Sequence, residues 1–222
     1  MSFNLSISEN IKEFKSGLPK GTTLVAVSKT KPISDLMEAY NAGQRIFGEN
    51  KIQEMVEKWE QMPKDVEWHM IGHVQRNKVK YMAPFVSLIH AVDSLKLLKE
   101  IDKQAAKNQR CISCLLQVKI AEEDSKFGMD EADVRLLLNS DEIKGMANVK
   151  IVGLMGMATF TNDEPQLRSE FGKLKKLYDA LSQTHQFTTL SMGMSGDYKI
   201  ALEEGSNMIR VGSAIFGERN YS

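Results

Sequence analysis

The stretch TLVAVSKTKPISDLMEAYNAGQRIFGEN, residues 23–50, decides the fold. TLVAVS is an apolar run of strand length. ISDLMEAYNAG then carries apolar residues at three- and four-residue spacing, the mark of an amphipathic helix. Gly43 suits a helix C-cap, and RIFG at 45–48 is a second short apolar run. Strand, helix and strand within 28 residues form the repeating unit of a parallel sheet.

The same alternation extends in both directions. An opening helix is expected near Leu5 to Gly17. Further strands are expected at EWHMIG (67–72), VSLIHAV (86–92), CISCLLQVK (111–119), VKIVGLMG (149–156), TTLSM (188–192) and NMIRVG (207–212). SLKLLKEIDKQAAK and PQLRSEFGKLKKLYDAL read as helices, the first with Ser94 as N-cap. No Ser/Gly linker, low-complexity stretch or composition shift interrupts the 222 residues, so one domain is expected over 1–222. Eight strands alternating with helices allow an open doubly wound sheet or a closed (β/α)8 barrel, and the count of eight favours a small TIM-type barrel.

Composition narrows the function classes. Lys plus Arg (29) equal Asp plus Glu (29), so no global field attracts nucleic acid or an acidic membrane. The opening MSFNLSISENIKEFKSG lacks a basic stretch followed by an apolar run, and no run of apolar residues has spanning length. A cytoplasmic protein with small or local partners, no nucleic acid and no membrane is expected. A monomer is expected too, since no apolar surface helix advertises an interface. Cys111 and Cys114 lie in one strand-like run, where a three-residue offset sends side chains to opposite faces. They read as small core residues, and no metal site is expected.

In a (β/α)8 barrel the chemistry gathers at the carboxyl ends of the strands. Those positions hold Lys29 after the first strand, Glu49 and Asn50 after the second, and His69 and His73 around the third. Asp93 follows the fourth, Ser191 and Ser195 come with the seventh, and Arg210, Gly212 and Ser213 with the eighth. Partial burial of Lys29 would lower its pKa from about 10.4 and give a nucleophilic amine; a solvated loop lysine is the alternative. Small residues in SMGMSGDYKIALEEG (191–205) and IRVGSAIFG (209–217) suit a phosphate held by backbone N–H groups, with Asp197 as a cap of the intervening helix; tight turns would use the same glycines. Arg210 needs an acceptor, either a ligand nitrogen or carboxylate, or an ion pair with Glu49 or Glu218. His69 either faces a ligand or is a satisfied core histidine.

VSKTKP (27–32), FGEN (47–50), WHMIG (68–72) with Gln75 and Asn77-Lys78, GLMGMA (153–158), SMGMS (191–195) and RVGSAIFG (210–217) together resemble the YggS/PROSC family of pyridoxal phosphate homeostasis proteins, in order from about residue 5 to 217. The resemblance implies a fold-type III pyridoxal 5′-phosphate (PLP) barrel, similar to the N-terminal domain of alanine racemase. It implies PLP as an imine on Lys29, Asn50 near the cofactor and Arg210 facing the pyridine nitrogen. It implies Ser191, Ser195, Gly212 and Ser213 around the phosphate. It further implies a carrier or regulator of PLP balance, with PLP-requiring apo-enzymes as partners, rather than robust catalysis. A PLP-dependent amino-acid racemase is the alternative, with Tyr198 or His69 as second base; a Schiff-base aldolase without PLP is a third reading. His73 and Lys126-Phe127-Gly128 depart from the family pattern.

Overall fold

The eight apolar runs fold into eight parallel strands, and the last pairs with the first to close a barrel. The structure, a computed structural model, describes residues 6–122 and 127–217. In chain order the elements are α1 (Ile7–Gly17), β1 (Thr23–Val27), α2 (Ile33–Asn41), β2 (Ile46–Glu49), α3 (Ile52–Gln61) and β3 (Glu67–Met70). After a 3-10 turn at Arg76–Lys78 come α4 (Val79–Met82), β4 (Leu88–Val92), α5 (Leu95–Lys107), β5 (Ile112–Lys119), α6 (Glu131–Leu138), α7 (Asp141–Lys144) and β6 (Val149–Met157). The chain continues through α8 (Glu164–Ser182), β7 (Thr189–Met194), α9 (Tyr198–Glu203), β8 (Met208–Val211) and α10 (Ser213–Phe216). Lys126 and Glu218, raised by the sequence, lie outside the described residues.

Strand periodicity divides the core in two. Leu24, Ala26, Phe47, Trp68, Ile89, Leu154, Leu190 and Ile209 pack outward against the helices. Val25, Leu88, Leu115, Met155 and Met208 form a second cluster. Contributed by β1, β4, β5, β6 and β8, they meet across the barrel interior. That apolar group fills the barrel and confines chemistry to its carboxyl end.

Local signals fix the helix starts. Ser6 and Glu9 form a capping box that begins the first helix at Ile7, with the Ser6 N–H donating to the Glu9 carboxylate at 2.7 Å. The Ser94 hydroxyl accepts the Leu97 N–H, as expected of an N-cap. Gly43 follows α2 at φ 91°, the left-handed conformation of a helix C-cap glycine. Asp197 departs from expectation. It precedes α9, but its carboxylate turns back to accept the Met194 N–H at 2.6 Å and closes the turn after β7 instead of capping the helix. α1 lies against α2 and α10 across the β8–β1 seam, where the Asn10 side chain donates to the Ile215 carbonyl at 2.9 Å. Cys111 is exposed and Cys114 buried, consistent with their opposite facing.

Gly153 is the tightest point of the sheet. It sits at a register shift in β6 with φ 158°, and a Cβ there would lie 1.7 Å from the Thr189 carbonyl oxygen of β7. The Gly153→Ala variant is expected to lose about 2–4 kcal/mol of stability, because β6 and β7 must separate or the residue must adopt another backbone. Urea unfolding with an unchanged m-value measures this; a loss below about 0.5 kcal/mol would contradict the close approach.

Candidate functional site

Position along each strand puts the polar side chains in one tier. His69, His90, Ser191 and Arg210 are each the third residue of their strand. Their side chains meet in a chain of hydrogen bonds inside the barrel. Arg210 Nη1 donates to Ser191 Oγ at 2.5 Å, His90 Nδ1 lies 3.0 Å from that oxygen, and His90 Nε2 lies 3.0 Å from His69 Nδ1. Because β4 and β7 are not neighbours, the His90–Ser191 contact spans the interior. Arg210 Nη2 also donates to the Gly156 carbonyl at 3.1 Å.

This tier is almost without solvent. Ser191 and His90 are fully buried, and His69 and Arg210 are each 3% exposed. Burial pulls His69 down to about 3. It also holds His90 well below the usual imidazole range, helped by His69 and Arg210. Both rings are therefore neutral at physiological pH. Arg210 is lowered to about 10 by burial, with Asp197 opposing the shift, and stays charged. Glu49, one of the ion-pair partners open to it from the sequence, is not its partner, because Glu49 points outward to α3 and binds Lys58. Arg210 is a buried cation whose two hydrogen bonds go to neutral oxygens, leaving donors for a ligand.

Glu49 anchors a second cluster, behind Lys29. Its Oε1 accepts from Ser28 Oγ at 2.6 Å and pairs with Lys58 Nζ at 2.8 Å. Lys58 also donates to the Ser28 carbonyl and to Glu54, and Glu54 accepts the Thr30 N–H. The turn carrying Lys29 is thus tied to α3 on both sides of the lysine. Thr30 is held at φ 63°, a costly conformation for a β-branched residue. Burial raises Glu49 above the usual carboxylate range despite the attraction of Lys58. Its Oε2 is buried without a hydrogen-bond partner.

Lys29 lies two residues past the end of β1 and is half-buried. β1 pairs with β8 at Val25↔Arg210 and Ala26↔Val211, which brings Lys29, Arg210 and Gly212 onto adjoining strand ends. Next to them the Gly212 N–H donates to Ser195 Oγ at 3.1 Å, and Ser213 is exposed at the start of α10. Lys31 Nζ caps the Phe216 carbonyl at 2.8 Å, locking the β1 turn to α10. Asn50 ends β2, where Gly72 comes so close that a Cβ would lie 2.3 Å from the Asn50 carbonyl oxygen. Ser191 lies deeper than the other expected phosphate residues, with its hydroxyl engaged by Arg210 and His90.

Tyr198 turns away from the mouth and packs its ring 5.4 Å from Phe14 of α1. His73 pairs with Asp93 at 3.4 Å and stacks on Phe127 at 4.5 Å. A groove of about 460 Å³ lies elsewhere, around the strand starts Thr23, Ile46 and Glu67. Of its cations, Lys15 and Arg45 are already bonded to Gly43 and Asp65.

Sequence reading missed His90. Its signal was a lone polar residue in an otherwise apolar strand, two positions after the inward-facing Leu88.

Residues 5–220 match the family model described as alanine racemase, N-terminal domain. The pyridoxal phosphate homeostasis protein of Aquifex aeolicus is 38% identical over 201 residues, covering 89% of this chain and 87% of the relative. The chain belongs to the pyridoxal phosphate homeostasis protein family. PipY of Synechococcus elongatus, solved with PLP bound, superposes with a TM-score of 0.86 at 35% identity, covering 95% of this chain and all of the other. The fold is shared more widely: alanine racemase from E. faecalis gives a TM-score of 0.75 at 17% identity, covering 97% of this chain and 58% of the other. Among the described residues no helix is long and apolar enough to cross a membrane.

Two predictions follow from the buried groups. Lys58→Met strands the Glu49 carboxylate, and about 3–5 kcal/mol of stability should be lost at pH 8. The loss should shrink toward pH 5 as Glu49 takes a proton instead; urea unfolding at both values measures it, and an equal loss at both would refute the account. His69 and His90 titrate lower in the folded chain than unfolded, so unfolding binds protons once pH drops below 6.5. Stability should therefore fall with acid from pH 6.5 downward, by up to about 1.4 kcal/mol per pH unit for each imidazole. His90→Asn should flatten that slope between pH 6.5 and 5, and an unaltered slope would exclude the imidazole as its source.

Proposed function

We propose that this protein binds PLP at the carboxyl end of the barrel and serves intracellular PLP homeostasis by holding the cofactor reversibly on Lys29. The observation that carries this reading is the donor set on three adjoining strands. An amine (Lys29) stands on β1, a cation with only neutral partners (Arg210) on β8, and hydroxyls with backbone N–H groups (Ser195, Gly212, Ser213) at the ends of β7 and β8. PLP presents the matching acceptors: an aldehyde, a pyridine nitrogen and a phosphate dianion. Relatives named for pyridoxal phosphate homeostasis, and the PLP-bound PipY structure at 35% identity, support the assignment.

Bound there, PLP supplies an aldehyde that an amine captures reversibly and a ring whose electron demand depends on the charge at its nitrogen. Lys29 provides the amine, held in place by the tied turn of Ser28 and Thr30. Arg210 keeps its protons under burial and would hold the ring nitrogen as a donor, which would leave that nitrogen unprotonated and the ring a weak electron sink. Ser195, Gly212 and Ser213 take the phosphate, while Ser191 orients Arg210 from below. Asn50 borders the ring. The two side chains considered as second bases do not fit that task. Tyr198 faces α1, and His69 is a neutral member of the buried tier. Holding PLP, for release to apo-enzymes that need it, fits this arrangement better than exchanging protons on both faces of an amino acid.

Absorbance spectra of the purified protein with added PLP, before and after borohydride, test the reading. Wild type should show an imine band that reduction fixes to the protein, whereas Lys29→Ala should show no such band and retain no label after dialysis. Uptake of PLP by Lys29→Ala with an unchanged band would move the attachment point elsewhere.

A further inference from the structure

Arg210 is held at one remove by a side chain on the far side of the barrel. Arginine only donates, so Ser191 Oγ must accept from Arg210 Nη1. The serine has one hydrogen of its own and is fully buried, and its remaining neighbour at hydrogen-bond distance is His90 Nδ1. If His90 carried its proton on Nδ1, the serine hydrogen would be left buried without an acceptor. With Nδ1 bare, every link is satisfied: Arg210 donates to Ser191, Ser191 to His90 Nδ1, and His90 Nε2–H to His69 Nδ1. This direction fixes both imidazoles as neutral Nε2–H tautomers, in keeping with their burial. A protonated His90 would instead donate to Ser191 and compete with Arg210 for the same oxygen.

We infer that His90, acting through Ser191 and backed by His69, is the positioning residue that aims the Arg210 guanidinium. The inference rests on the PLP reading for what Arg210 meets, but the aiming itself belongs to the unloaded chain. Four other groups bear on Arg210. The Gly156 carbonyl accepts from Nη2, Asp197 contributes its field from the β7–α9 turn, and Lys29 and Gly212 stand on the adjoining strand ends. Of these, only the Gly156 carbonyl is bonded to the guanidinium, so removing the serine–histidine arm leaves Arg210 held at Nη2 alone.

His90→Leu removes the acceptor. His90→Asn restores one, because the asparagine Oδ1 occupies the place of the imidazole Nδ1. Ser191→Ala removes the intermediate hydroxyl with little change of volume, and stands in should the leucine variant not fold. The first readout uses unloaded full-length protein: nuclear magnetic resonance of the Arg210 side-chain N–H groups and their exchange with water. Exchange should quicken by about tenfold in His90→Leu and Ser191→Ala, in line with the loss of one charge-assisted hydrogen bond, and stay near wild type in His90→Asn. The second readout is the nitrogen resonance of nitrogen-15-labelled PLP bound to each variant. It should remain at the unprotonated position in wild type and His90→Asn and move toward the protonated position in the other two. Unchanged Arg210 exchange in both disrupted variants would overturn the inference. So would equal loss in His90→Asn and His90→Leu. A wild-type protein that takes up no PLP would sink the PLP reading, while the exchange rates of the unloaded chain would still decide the role of His90.

Discussion

The burial of one positive charge inside a barrel, with no carboxylate among the described residues hydrogen-bonded to it, is the constraint on which the rest of the site depends. An isolated guanidinium removed from water is costly unless its donors are met, and Arg210 has only neutral oxygens to meet them. Ser191 and the Gly156 carbonyl supply two acceptors without cancelling the charge. The serine can do so only if something takes its own hydrogen. That requirement reaches across the barrel to β4 and then to β3, and it explains why each of these strands turns a histidine inward. Both must be uncharged, since a second cation in this tier would add repulsion to desolvation. The same dryness that makes the arginine expensive keeps the imidazoles neutral.

The second buried charge cluster lies on the outer face of the barrel, at the ends of β1 and β2. Ser28 and Glu49 point outward because they sit one residue from the inward-facing Val27 and Gly48, and the strand period of two sends them to α3. There Lys58 binds the Ser28 carbonyl and Glu54 takes the Thr30 amide, one before and one after Lys29. The turn that carries the lysine is therefore fixed by its backbone on both sides. Carboxylate and ammonium meet directly outside the barrel, while inside it the guanidinium of Arg210 bonds to neutral oxygens. The outer cluster gives rigidity and the inner tier gives a cation that a ligand can use.

The fold was legible because its signal is repeated. Each strand is a short apolar run and each intervening helix an amphipathic one, so an error of one or two residues at an edge, as at Leu5 against Ile7, leaves the count of eight intact. Much of the site was legible for a related reason: barrel chemistry collects at strand ends, and Lys29, Asn50, Ser195, Arg210, Gly212 and Ser213 are strand-end residues. The depth of each residue was not legible. Ser191 and Ser195 are four residues apart in one segment, yet the first is fully buried with its hydroxyl engaged and the second lies at the mouth beside Gly212. Only the register of β7 against β8, with its shift between Ser191 and Met194, separates them. Asp197 was misread for the same kind of reason: its position suits a cap, but the nearer Met194 amide captures the carboxylate.

The fate of the polar residues also bears on why a racemase-like barrel would hold a cofactor rather than work it. Proton transfer at carbon needs a group whose pKa lies near the operating pH and which reaches the reacting atom. His69 is displaced to about 3 and bonded to His90, and Tyr198 spends its ring on Phe14. In the proposed binding mode Arg210, by remaining a donor, would oppose protonation of the ring nitrogen and so weaken the electron sink that carbanion chemistry requires. Each of these features alone could be an accident of packing. Together they set every titratable group identified in the buried tier in a state that binds without exchanging protons, which is what a reservoir for a reactive aldehyde demands.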